Sequence, residues 1–115
     1  MKYITTSWDD GYFLDERLAD LLEKYGLQGT FYVPRSNPEY SVLPESRLQD
    51  LGRRFELGGH TMGHTSYDGG NLTDMTSEIR DCFAWVADLT GEKPVSFAPP
   101  KGYYDDQLME VAFDT

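Results

Sequence analysis

The sequence has one cysteine, no long apolar run and half as many basic residues as acidic ones, and each shortage removes a class of protein. The single thiol, Cys82, excludes an internal disulfide. Its setting in Glu78-Ile79-Arg80-Asp81-Cys82-Phe83-Ala84-Trp85 reads as a helix packing position rather than a nucleophile. Ten Lys and Arg stand against 20 Asp and Glu, for a formal net charge of -10. Nucleic-acid affinity comes largely from Lys and Arg displacing the counterions of phosphates, so this balance argues against a nucleic-acid partner and against anionic membrane surfaces. No apolar stretch approaches membrane-spanning length. The opening Met1-Lys2-Tyr3-Ile4-Thr5-Thr6-Ser7-Trp8 has neither an apolar signal core nor a small-residue cleavage site, and the chain as given is expected to be cytoplasmic.

What is present is the composition of a folded domain: 39% hydrophobic and 26% charged residues, too apolar for a disordered chain. With 115 residues the chain is long enough for one core and too short for two, so residues 1–115 are expected to form a single domain or a piece of one.

Tyr3 to Trp8, β-branched and aromatic and stopped by Asp9-Asp10-Gly11, reads as a strand and turn. Leu14, Leu18, Leu21, Leu22 and Tyr25 then form a helical stripe, with acidic Asp15 and Glu16 at its start and Gly26 available for a left-handed end. Gly29 to Val33 is a second strand, and Arg35 to Val42 a loop. Pro44 opens a second helix, with Leu48, Leu51 and Phe55 on its stripe. Glu56 to His60 is a short third strand. A third helix is expected from a cap at Thr73 or Thr76 to Gly91, a fourth strand at Val95 to Phe97, and a fourth helix begins at Leu108, Met109, Val111 and Ala112. Alternating strands and helices imply an α/β fold with parallel strands joined by right-handed crossovers. Such folds carry their chemistry at the carboxyl ends of the strands.

Three polar clusters fall at those ends: Asp9-Asp10-Gly11, His60 to His64, and Ala98-Pro99-Pro100-Lys101-Gly102-Tyr103. Asp-Asp-Gly alone is a common turn. Adjacent residues leaving a strand point in different directions, however, so one carboxylate can hold a cation while its neighbour faces substrate or water. His60 and His64 are the only histidines, and their spacing presents two imidazoles together if Thr61 to Gly63 form a helical turn. Two His and one carboxylate leave coordination positions open, a catalytic arrangement that suits either hydrolysis by an activated water or oxygen activation on Fe(II). The iron enzymes usually carry the carboxylate close to the first His in an all-β fold, whereas here it lies far upstream in an α/β pattern, which favours hydrolysis.

Ser7-Trp8-Asp9-Asp10-Gly11 resembles the first motif of the polysaccharide deacetylases (carbohydrate esterase family 4, the NodB-type domain), usually Thr-Phe-Asp-Asp-Gly. His60-Thr61-Met62-Gly63-His64 is similar to their second, His-Ser/Thr-x-x-His, and Gly29-Thr30-Phe31-Tyr32-Val33 to the second strand of that fold. The resemblance implies a partial (β/α) barrel, the first four β/α units of a distorted (β/α)7 barrel. It implies Asp9 as catalytic base and Asp10, His60 and His64 as metal ligands. The ion would be zinc, with cobalt, nickel, manganese or iron as alternatives. It also implies a backbone N–H near Lys101 as oxyanion donor, and removal of acetyl groups from an amino sugar or polysaccharide.

The third motif departs from the family's usual Phe-Arg-Pro-Pro-Tyr-Gly. Ala98 replaces the arginine that orients the catalytic Asp, and Lys101, in the place of the tyrosine, is expected to offer a substitute charge. The later barrel strands that carry the family's general-acid histidine have no counterpart here. A fragment of a longer protein, or a homo-oligomer that covers the open strand edges, is therefore expected. The rival expectation is a catalytically silent protein that binds metal or carbohydrate.

Overall fold

Short β-branched and aromatic segments, punctuated by glycine and proline, assemble a small parallel sheet in the computed structural model, which describes residues 1–115. Ser7–Asp9 (β1), Thr30–Val33 (β2) and Glu56–Gly59 (β3) lie side by side in that order, all parallel. Asp15–Lys24 (α1) and Glu45–Arg54 (α2) make the two crossovers, and Leu72–Thr90 (α3) and Asp106–Asp114 (α4) follow β3. Parallel strands joined through helices put every carboxyl end on one edge of the sheet, which gathers residues 9–10 and 59–60 there.

Phe31 and Val33 of the central strand are fully buried among Ala19 and Leu22 of α1, Leu48 and Leu51 of α2, Leu57 of β3, and Cys82, Trp85, Val86 and Leu89 of α3. A second cluster joins Tyr67, Met75, Ile79, Phe83 and Leu108, packing α4 onto α3. Of the stripe expected on α1, only Leu22 is buried, with Leu18 at the rim of the core, while Leu14, Leu21 and Tyr25 stay exposed. The inward line is instead Asp15, Ala19 and Leu22, at i, i+4 and i+7. Gly26 and Gly91 take left-handed conformations after α1 and α3, as their positions predict.

Three local expectations fail for identifiable reasons. The first strand begins at Ser7 rather than Tyr3. Its one partner starts at Thr30, whose N–H meets Thr6 O at 3.0 Å, and no ladder hydrogen bond reaches Tyr3 to Thr5. The fourth strand shrinks to a parallel bridge between Gly59 and Phe97. Pro94, with no donor, and Pro99 bound the segment so closely that only Gly59 N–H to Ser96 O and Ala98 N–H to Gly59 O form, both 3.0 Å. Neither Thr73 nor Thr76 caps α3. The helix starts after Asn71, and Thr76 Oγ1 donates to Leu72 O at 2.8 Å inside it.

Gly59 of β3 lets α3 approach the sheet. A Cβ on Gly59 would stand 2.6 Å from Phe83 Cε1. Gly59→Ala is therefore expected to lower stability by about 1–3 kcal/mol through overpacking, measured by denaturant unfolding. An unchanged midpoint would mean that the sheet and α3 are not in tight contact at this point.

Candidate metal centre

Asp10 leaves β1 with φ 83°, followed by Gly11 at φ 62°, while its N–H still continues the ladder to Tyr32 O at 3.0 Å. This left-handed pair turns the chain so that the Asp10 carboxylate lies over the end of β3. There His60, 1% exposed, sets its Nε2 3.1 Å from Asp10 Oδ1. His64 sets its own Nε2 3.0 Å from the same oxygen. The structure thus brings together the three side chains that the sequence singled out, with one candidate ligand atom from each lying within 4.8 Å of the others.

The hydrogen-bond network says what this arrangement fits. His60 Nδ1 lies 2.7 Å from Ala98 O, which can only accept, so Nδ1 carries the proton. In the neutral ring Nε2 then presents a lone pair to a carboxylate oxygen, two acceptors face to face. Only a proton or a cation between them resolves that conflict. Tetrahedral ligands bound at zinc-like distances stand roughly 3.3 Å apart, close to the spacings found here. The donor set therefore fits a divalent ion, with Ala98 O fixing the His60 tautomer from behind.

The two histidines do not share a helical turn, which corrects the expectation from their spacing. Thr61 and His64 both take left-handed φ, 65° and 55°, and the segment between them is an irregular loop. Thr65 N–H donates to Thr61 Oγ1 at 2.9 Å, and Ser36 N–H to Met62 O at 2.8 Å. The imidazoles meet because the loop folds back on itself, with ring centres 5.0 Å apart.

Asp9, the last residue of β1, is exposed, and the ion pairs at this edge run to Asp10 rather than to it. Lys101 lies in a tight turn, Pro100–Gly102, with φ 59°. Its ammonium stands 3.8 Å from Glu39 Oε1, so the substitute charge expected for Asp9 is directed to another carboxylate. The turn's own hydrogen bonds come from the Gly102 and Tyr103 N–H groups, which leaves the Lys101 N–H outside them.

Three features of this edge were not anticipated. The Ala98 carbonyl is a backbone group, invisible to residue-type reasoning. Glu78 reaches the His60–His64 loop from α3, and its only signal in the sequence is an acidic residue beside buried Ile79. Asp15 is buried at the start of α1 with its Oδ2 unpartnered. Burial pushes its carboxyl up to about 7, with the Asp10 and Asp9 charges adding to the rise. Because the folded value lies above the unfolded one, the native state holds the extra proton between about pH 4 and 7, and stability falls as pH rises through that window. Asp15→Asn removes this dependence. In metal-free buffer its stability relative to the parent is expected to improve by a few kcal/mol (about 2–4) from pH 4 to pH 8, read by denaturant unfolding. A pH-independent difference would place the Asp15 carboxyl in water. Cys82, its thiol raised to about 11 mainly by burial, donates to Val33 O and is inert packing, as its sequence setting implies.

Comparison with known proteins agrees with this arrangement of strands and helices. The polysaccharide deacetylase family profile matches residues 1–115. The peptidoglycan-N-acetylmuramic acid deacetylase PdaC of Bacillus subtilis is 28% identical over 109 residues, which cover 93% of this chain and 23% of that protein. Among solved structures, Streptococcus pyogenes deacetylase PplD, in complex with acetate, superposes with a TM-score of 0.80 at 19% identity, over 92% of this chain and 49% of its own. A family 4 acetyl xylan esterase from Clostridium thermocellum, in complex with cobalt, gives 0.76 at 23% identity, over 95% of this chain and 54% of its own. The chain thus spans about half the length of these solved structures and less than a quarter of PdaC. The sheet and its helices correspond to part of a deacetylase barrel.

Proposed function

The chain belongs to the polysaccharide deacetylase family, and from that premise we propose that it contributes the metal centre and catalytic base of a hydrolase that removes acetyl groups from an amino sugar or acetylated polysaccharide. The observation that carries this reading is the single oxygen Asp10 Oδ1 met by His60 Nε2 at 3.1 Å and His64 Nε2 at 3.0 Å. Acetate bound to PplD, cobalt bound to the xylan esterase and the peptidoglycan substrate of PdaC support the same chemistry here.

Asp10, His60 and His64 would hold the ion, which when bound lowers the pKa of water and polarises an acetyl carbonyl. Asp9, exposed and outside the ion pairs of this edge, would take the proton of the attacking water. The Lys101 N–H, uncommitted within its turn, would donate to the oxygen on which negative charge develops. His60, tied to Ala98 O, keeps its Nε2 lone pair directed at the centre throughout. Beyond Gly11, an open groove of about 530 Å³ is lined by Tyr12, Phe13, Tyr40 and Val42, with Glu39 and Ser41 on its polar side. Exposed aromatic faces beside hydroxyl-binding groups suit the faces and edges of a pyranose ring.

Acetate release from chitooligosaccharides, acetylated xylan and peptidoglycan, with and without added Co²⁺ or Zn²⁺, tests the reading. Metal-dependent release on any of them supports it. One observation favours a second reading, a silent binder: with Ala98 in place of arginine and Lys101 turned to Glu39, no cation aims Asp9. Bound metal without acetate from any substrate, in a protein that also carries the rest of the barrel, selects that reading, and failure to bind metal at all defeats both.

A further inference from the structure

We propose that Glu78, in the middle of α3, is a positioning residue that holds the His60–His64 loop in its ligand-presenting shape, an inference that rests on the metal-centre reading above. One carboxylate closes two hydrogen bonds to this loop and a third to Thr65, the residue that follows it. Its Oε2 accepts from Met62 N–H at 2.7 Å and Gly63 N–H at 3.0 Å, and its Oε1 accepts from Thr65 Oγ1–H at 3.0 Å. Successive backbone N–H groups pointing at one oxygen form an anion-binding concavity, and here the anion is supplied by the chain itself.

The loop needs such a tie. It has no helical or strand ladder of its own, and it enters and leaves through left-handed Thr61 and His64. Non-glycine residues keep that conformation only where the surroundings over-determine it. Away from the imidazoles, its other ties run from Thr65 N–H to Thr61 Oγ1 and from Ser36 N–H and Oγ–H to Met62 O, all involving neutral partners. Apart from Asp10 at the two imidazoles, Glu78 is the one carboxylate bonded to the loop, and it acts from a helix whose Met75, Ile79 and Cys82 are fully buried. The carboxylate thus transfers the fixed position of α3 to the loop that carries both imidazoles, while making no hydrogen bond to Asp10, His60 or His64.

Co²⁺ titration of the metal-free protein, followed by visible absorption and paired with thermal melting, tests the assignment. Glu78→Ala is expected to weaken Co²⁺ binding roughly ten- to a hundred-fold and to change the absorption bands, because His64 is no longer held in place. Glu78→Gln should fall between it and the parent, since an amide oxygen still accepts from both N–H groups but without charge. Ile79→Val trims the core on the same helix and is expected to leave Co²⁺ affinity and spectrum unchanged whatever it costs in melting temperature. A folded Glu78→Ala with the parent's affinity and spectrum overturns the proposal, as does an equal loss in Ile79→Val. Should Glu78→Ala fail to fold, Glu78→Gln decides: a several-fold loss supports the proposal and parental affinity overturns it. A parent protein that takes up no Co²⁺ defeats the metal-centre reading itself, a different failure.

Discussion

Replacing His60 with alanine is expected to abolish uptake of a divalent ion and all metal-dependent acetate release. His60 is the most constrained of the three candidate ligands. It is 1% exposed, bonded through Nδ1 to Ala98 O at 2.7 Å and directed through Nε2 at Asp10. Removing an outer partner of a metal ligand costs roughly ten- to a hundred-fold in affinity, and removing the ligand itself should exceed that. Stability without metal should also drop, by about 2–4 kcal/mol, because the substitution opens a cavity and strands the Ala98 carbonyl. Calorimetric Co²⁺ or Zn²⁺ titration and metal-free unfolding separate the two effects. Retained tight binding in His60→Ala would remove His60 from the centre.

The second large effect falls on the residue next door. Asp9→Asn is expected to cut acetate release by about 10²–10⁴-fold, the range a general base supplies, while leaving Co²⁺ affinity as in the parent. Asp10→Asn should lose both. The contrast follows from direction: β1 ends at Asp9, whose carboxylate stays exposed, whereas the left-handed turn at Asp10 carries the next carboxylate to the histidines. The same substitution removes one of the charges that raise the Asp15 carboxyl. Burial comes first among the causes of that rise, so Asp15 should come only part of the way down. Equal turnover in Asp9→Asn and the parent would move the base elsewhere, whereas equal loss of metal in both Asp variants would make Asp9 a ligand.

The element order was legible because each strand and helix announces itself locally. Phe31 and Val33 alternate with polar neighbours, Gly26 and Gly91 end helices, and Asp9-Asp10-Gly11 breaks a strand. Boundaries were less so. The length of β1 depends on where β2 begins, and the weakness of the fourth strand on the two prolines that flank its segment. Such limits are set by pairing, and pairing is not a local property.

The candidate site divides in the same way. By itself the sequence determined which side chains were eligible: two histidines in the whole chain, an Asp pair at a strand end, and a parallel topology that puts both on one edge. Only the tertiary structure decided how they meet. Left-handed Asp10 and His64, the Ala98 carbonyl behind His60, the Glu78 carboxylate under the loop, and the diversion of Lys101 to Glu39 are consequences of backbone conformation and of contacts between residues distant in the chain. Residue type fixes which atoms can bind a cation. Where those atoms stand is fixed by hydrogen bonds from groups that carry no mark of that role in the sequence.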